Sequence, residues 1–223
     1  MKTLGFAATA AGLLATVLTA TPAAAQAITI GTNGASNCIP FSCNEARYEQ
    51  LYLAPAFAGM GGPAWLTAVT FFGQLAGPFT GATYSISFST TTASTLGTDL
   101  NANVTGSESF FGAFPLTGPV PSQFTLTGAP FYYNPLAGNL LLDIILTGGT
   151  NHTETAYLES DNSGTSFRRA WSDVGGYTWS DVSGLVTEFN YSTTTTVPEP
   201  GIMALLATGL AGLAALGRRR KKA

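Results

Sequence analysis

ATYSISF, residues Ala82–Phe88, alternates without a break. Ala82, Tyr84, Ile86 and Phe88 fall on one side of an extended chain, and Thr83, Ser85 and Ser87 on the other. A period of two carried by β-branched and aromatic residues marks a strand with one face buried and one face wet. Working outward, similar but less regular runs are WLTAVTFF (Trp65–Phe72), SQFTLTG (Ser122–Gly128), TAYLES (Thr155–Ser160), SFRRAW (Ser166–Trp171) and LVTEFNY (Leu185–Tyr191). NLLLDIIL (Asn139–Leu146) is continuous, as for a central strand covered on both faces. Asp143 interrupts it, and is expected near a strand end or in an ion pair.

Gly and Pro punctuate these runs at Gly59–Pro63, Gly77-Pro78, Gly118-Pro119, Gly128–Pro130, Asn134-Pro135, Gly148-Gly149 and Gly175-Gly176. Short strands with turn signals at this spacing predict an all-β, antiparallel sandwich or jelly roll in one domain. No long window carries a helical stripe. The best helix candidate is CNEARYEQLYLA (Cys43–Ala54), for which a turn or a strand is the alternative. The Thr-rich stretch Ser89–Thr95 should lead from a strand into a loop.

The two ends of the chain differ from its body. At the start, Lys2 precedes the apolar Leu4–Leu18, and small residues follow in Pro22-Ala-Ala-Ala-Gln-Ala27. That is a secretory signal peptide, residues 1–27, with cleavage after Ala25 or Ala27. At the other end, residues 198–223 read PEPGIMALLATGLAGLAALGRRRKKA. Ile202–Leu216 is fifteen residues without a charge. As a helix it would measure roughly 22 Å, short against a hydrocarbon core of about 30 Å. Its apolar residues cover the whole circumference, and Arg218–Lys222 follow, so a membrane segment is expected rather than a core helix. The basic cluster places the C-terminus in the cytoplasm and the body outside. Residues 192–197 form a Ser/Thr-rich linker, a candidate for O-linked sugar, between this tail and a β domain over residues 28–191.

An export signal, then Pro198-Glu199-Pro200, the apolar segment 202–216 and the basic tail 218–222 resemble, in that order, the PEP-CTERM sorting arrangement of Gram-negative bacteria. The resemblance implies export through the Sec translocon and recognition by an exosortase, a membrane protease-transpeptidase. It also implies transient anchoring in the inner membrane, removal of the tail and delivery to the cell surface or an exopolysaccharide matrix. YYNPLAGNLLLDI (Tyr132–Ile144), with the CNEARYEQLY and WLTAVTFF segments, resembles what recurs in exported PEP-CTERM proteins of no assigned activity.

Between the targeting segments the basic residues are Arg47, Arg168 and Arg169, with no lysine, against eleven carboxylates, which leaves a formal charge of −8. Nucleic acid, held through phosphate neutralisation, is therefore not an expected partner. The two cysteines, Cys38 and Cys43 in CIPFSC, read as a disulfide in an exported chain. A metal site would need more soft ligands nearby, and the single histidine, His152, is over a hundred residues away.

Residues suited to catalysis are few. His152 is the only histidine base for a nucleophilic triad, no G-x-S-x-G elbow is present, and a solvated loop histidine is the simpler reading. Glu154, Glu159 and Asp161 are close in sequence, and Glu159 and Asp161 share strand parity, as a glycosidase pair would or as ordinary wet-face acids do. With Asn162 and backbone carbonyls these oxygens suit calcium, although DNSG (Asp161–Gly164) is too short and sparse for an EF-hand loop. Calcium is the one cofactor left open.

Exposed aromatics are the remaining lead. Tyr132-Tyr133, Trp171, Tyr177 and Trp179 fall near predicted strand ends and loops, where they would either pack or stack on sugar rings. Arg168 and Arg169 should face opposite ways on a strand, one of them paired with an acid. The expectation is a non-enzymatic surface or matrix protein. A carbohydrate-binding module is the alternative, with Trp171, Tyr177 and Trp179 as glycan contacts, and a glycoside hydrolase comes third.

Overall fold

A computed structural model of the chain describes residues 26–75, 77–151 and 156–193. The leader up to Ala25, the residues His152 and Glu154, and the sorting tail with Pro198, Glu199 and Pro200 lie outside the described residues. Along the chain the strands are β1 (Gln26–Ile30), β2 (Ala35–Asn37), β3 (Glu45–Tyr52), β4 (Ala64–Leu75), β5 (Pro78–Thr91), β6 (Ser109–Pro119) and β7 (Gln123–Tyr133). There follow β8 (Asn139–Gly148), β9 (Tyr157–Asp161), β10 (Phe167–Asp173), β11 (Thr178–Asp181), β12 (Gly184–Leu185) and β13 (Thr187–Ser192). They form two antiparallel sheets. One runs β1-β13-β4-β9-β12, with β2 added on β9 and β7 on β4. The other runs β11-β10-β3-β8-β5-β6.

The inner faces of the two sheets meet in one buried cluster. Tyr48, Tyr52, Tyr84, Phe88 and Phe167 from one sheet face Leu66, Phe71, Leu126, Tyr133 and Phe189 from the other. In β5, Ala82, Tyr84, Ile86 and Phe88 are buried while Thr83, Ser85 and Ser87 are half-buried, as the alternation of ATYSISF predicts. Every buried ring of this size contributes roughly 1.5–3 kcal/mol by removal from water. β8 lies inside its sheet and is covered on both faces. Leu140, Leu142 and Ile144 enter the main core, while Leu141 joins a smaller cluster outside with Leu51, Leu96, Leu100 and Ala170. The residues between β5 and β6 thus fold back over the outer face of the second sheet.

That cover explains why Cys43–Ala54 reads as helix, turn or strand alike, of which the strand is the one formed. Cys43–Ala54 contains β3, a strand buried on both faces, so its hydrophobicity shows no period of two. Gly128-Ala-Pro130 is likewise not a turn but an irregularity inside β7, where the register against β4 shifts between Leu66 and Ala68. A Cβ on Gly128 would lie 2.3 Å from the carbonyl oxygen of Phe111, so the glycine is required by close approach of another strand. The only α-helix among the described residues is the single turn Leu100–Asn103, and Ala54–Met60 is a 3₁₀ helix.

The CIPFSC segment closes the core at one place. Cys38 and Cys43 are joined as a disulfide, and the loop between them drives Phe41 into the centre, 1% exposed. Its ring meets Phe71, Phe79, Tyr84 and Phe124 with centroids 5.0–6.3 Å away, all edge-on. Asn151, fully buried, donates to the carbonyls of Pro40 (2.8 Å) and Glu45 (3.0 Å). The Tyr84 hydroxyl donates to the Phe41 carbonyl at 3.2 Å.

Because so many contacts already hold this loop, and its separation is only five residues, the disulfide should add little. Replacing both cysteines (Cys38→Ser with Cys43→Ser) is expected to cost stability at the low end of the usual range, about 2 kcal/mol, read by urea unfolding. Alkylation of the unreduced native protein should find no free thiol.

Candidate functional site

The β10–β11 hairpin places three of the predicted aromatics together. Its turn is closed by backbone bonds from Asp173 N to the Tyr177 carbonyl (3.0 Å) and from Gly176 N to the Asp173 carbonyl (3.1 Å). The Asp173 carboxylate also accepts from Tyr177 N at 2.9 Å. Trp171 stands opposite Trp179, and Arg169 opposite Asp181. The two indoles stack with centroids 5.9 Å apart and planes 21° from parallel, and Tyr177 continues the row 6.3 Å from Trp179. Arg169 lies 4.7 Å over the Trp171 ring while its guanidinium binds Asp181 side-on at 2.8 and 2.7 Å.

This row lies on the margin of the inner face. Arg169 and Trp171 share parity with the core residue Phe167 and neighbour Gln50 and Tyr48 in the register with β3. The opposite sheet does not reach so far: Thr178–Asp181 are exposed throughout, with Trp179 at 43% and Tyr177 at 69% exposure. Trp171 is half-buried and rests against the core. The result is a strip of three rings in which Tyr177 and Trp179 are exposed and Trp171 is half-buried beneath Arg169, a cation already paired with Asp181. Of the other two aromatics, Tyr132 is half exposed and tilts against Trp65 at 5.2 Å. Tyr133 is fully buried and donates to the Gly138 carbonyl, so of the two expectations, packing or stacking on sugar, it takes the first.

Glu159 and Asp161 both lie on β9, half-buried and buried respectively. The Asp161 carboxylate accepts from Thr32 N (3.0 Å) and Ser163 N (2.7 Å), and these bonds hold it below the usual aspartate range despite burial. It is a brace between two loops. Among the described residues no three His, Cys, Asp or Glu side chains converge as a metal site would require.

The outer face of the second sheet holds an acid cluster that sequence reading did not assemble. Glu49 and Asp143 are register partners on β3 and β8. Arg47 binds Asp143 side-on, with Nε and Nη2 both at 2.9 Å, and donates from Nη1 to Asn101 at 2.7 Å. Its Nη2 also lies 2.9 Å from Glu49, whose other oxygen accepts from Asn103 at 2.7 Å. Asn103 further ties back to Gly97, so the covering segment is latched to the sheet through these groups. Burial pushes the Glu49 carboxyl up to about 8, against the pull of Asn103 and Arg47. Burial also raises Glu108, with Asp143 adding to the effect. Glu45, at the start of β3, is pushed up to about 7 by burial. The clue was limited to the lone charge within NLLLDIIL, because the partners are 94 residues apart.

Comparison with protein families matches residues 196–221 to the PEP-CTERM protein-sorting motif. The match takes in Pro198-Glu199-Pro200, the apolar segment and most of the basic tail. The motif implies export, sorting at the membrane and involvement of an exosortase. No curated protein and no solved structure matches the chain.

The acid cluster makes stability depend on pH in a defined direction. Folding raises the Glu49 pKa from 4.5 to about 8, so between those values the folded protein keeps a proton that the unfolded chain has lost. The contribution is full below the unfolded pKa and is lost as pH rises toward the folded one. Urea unfolding is therefore expected to show stability falling from pH 5 to pH 8. Glu49→Gln should flatten that slope by at most about 1.4 kcal/mol per pH unit, the share of one proton.

Proposed function

We propose that this protein is exported through the Sec translocon, held in the inner membrane by residues 202–216, processed by an exosortase, and delivered to the cell surface or extracellular matrix, where it acts without catalysis. The observation that carries this reading is the sorting motif at residues 196–221, on a chain whose body is a disulfide-bonded β sandwich. Oxidised cysteines suit an exported chain. The start of the fold suits the leader as well. β1 pairs with β13 from Gln26, opposite Tyr191, so cleavage after Ala25 leaves every rung of this edge intact and cleavage after Ala27 removes two. If the Pro-Glu-Pro tripeptide is the recognition element, Glu199→Ala should keep the protein in the inner membrane. Fractionation checks this, and equal release of variant and wild type into the medium would refute it.

A specific observation favours a second reading for the body, binding of a neutral glycan of the exopolysaccharide. Trp171, Trp179 and Tyr177 form one row at a sheet margin, with Trp179 and Tyr177 exposed as apolar faces on which a sugar ring can stack and Trp171 backing them. Arg169 is neutralised by Asp181, and the body carries −8 with no lysine, so an acidic polymer meets no free positive site on the row. Nothing among the described residues favours the hydrolase: Asp161 is occupied as a brace. Titration of the full chain with neutral polysaccharides should shift tryptophan fluorescence, and Trp179→Ala should weaken binding about tenfold. Raising salt should change affinity little, because the contacts are uncharged. No response to any neutral polysaccharide would remove the glycan reading.

A further inference from the structure

A cleft of about 700 Å³ opens beside β1, between the loop that follows it and the loop joining β9 to β10. That volume lies inside the roughly 300–1,000 Å³ typical of small-molecule sites. Its walls are preorganised. Asp161 ties Thr32 to Ser163 through both carboxylate oxygens, and Gly34 N donates to the Ser160 carbonyl at 3.1 Å. Gly31 turns the first loop with φ +96°, and a Cβ there would strike the Phe167 ring at 2.5 Å, so the loop is seated directly on the core.

The chemistry of the lining selects among ligands. Asp161 is the one charged residue that lines the cleft, and two backbone amides already satisfy it. No lysine or arginine lines it, so an anion finds no counter-charge. A divalent cation would find a single carboxylate, already engaged. The rest of the lining is hydroxyls and carboxamides from Thr32, Asn33, Asn162 and Thr165, all exposed. Asn33 Oδ1 accepts from Gln74, Asn162 Oδ1 from Ser183, and Thr165 Oγ1 pairs with Ser163 Oγ. That leaves the Thr32 hydroxyl and the two carboxamide NH2 groups to meet a ligand, with Ala56 supplying a small apolar patch. Such donors and acceptors around one methyl match a ring bearing several hydroxyls.

We infer that this cleft receives one or two units of a neutral saccharide end-on, as a second subsite that rests on the reading of the body as a glycan binder. No aromatic ring lines it, so the sugar is gripped by hydrogen bonds rather than stacked. The two subsites are joined. Ser183 Oγ donates to Asn162 Oδ1 at 2.5 Å, and Ser183 N donates to Asp181, the partner of the Arg169 that covers Trp171. The cleft sits at the Ser166 end of β10 and the aromatic row at its Trp171 end, about 17 Å apart along an extended strand.

The test is saturation-transfer NMR on the full chain in a zwitterionic detergent, with glucose, galactose, mannose, N-acetylglucosamine, cellobiose and lactose as probes. Thr32→Val with Asn33→Ala changes two exposed side chains and leaves the Asp161 brace intact. At least one probe is expected to bind wild type and Trp179→Ala alike, with at least a tenfold loss in the double variant and no change in tryptophan fluorescence. Binding that survives the double variant and fails in Trp179→Ala places the sugar on the aromatic row alone and overturns the inference, while leaving the glycan reading intact. Binding of none of these sugars, or heat on titration with calcium chloride and with none of them, also overturns it.

Discussion

The two sheets are held together by aromatic rings meeting edge to face, and the rest of the molecule follows from making room for them. Tyr52 packs edge-on against Phe57, Phe167 and Phe189, and Phe88 against Phe111 and Phe189, with Phe131 tilted beside it at 33°. At the other end Phe41 is the hub of its own set. Edge-to-face pairs of this kind add about 0.5–1.5 kcal/mol each beyond the burial of area. They demand a wide interior, and wide rings leave little tolerance for backbone error. Glycine at position 128 and the tethered CIPFSC loop are local answers to that demand.

Unequal sheets then decide where function can reside. The second sheet extends past the first at β10 and β11, so its inner face continues beyond the core as a shelf. Residues there obey the same parity as Phe167 but meet water. Elsewhere the inner face is filled, and the part of the outer face around Leu51, Leu141 and Ala170 is covered by the residues around the Leu100–Asn103 turn. Accessible stacked aromatics therefore concentrate at that margin, and the polar cleft lies at the opposite end of the same strand.

Legibility followed the number of buried faces. β5 was plain because one of its faces is buried and the other half-wet, which writes the pleat into the sequence. β3 was ambiguous because Tyr48, Glu49, Gln50 and Leu51 are all buried, so neither parity looks polar. β1, β2 and β6 carried too little hydrophobic pattern to be singled out, since their positions depend on pairing with distant partners. The aromatic row was visible as Trp171, Tyr177 and Trp179, but their stacking needed the hairpin register. The Glu49–Asp143 pair was invisible for the same reason in stronger form: only the β3–β8 register sets these acids side by side.

Both accessible sites share an electrostatic feature that bears on the habitat implied by the sorting motif. Arg169 at the aromatic row is held side-on by Asp181, and Asp161 at the cleft by two backbone amides. The Arg169 charge is paired inside the protein, and both Asp161 oxygens are engaged by amides, so neither group is left without a polar partner. Under the proposed glycan reading, binding would rest on shape, stacking and hydrogen bonds, which are effective at short range and lose little where ions screen interactions beyond roughly 8–10 Å. The body's net charge of −8 acts over a longer range, as a repulsion between copies of the protein. The sorting motif at residues 196–221 thus lies apart in sequence from the aromatic row and the cleft, so on the proposed reading a change in the tail leaves the chemistry of the body unaltered.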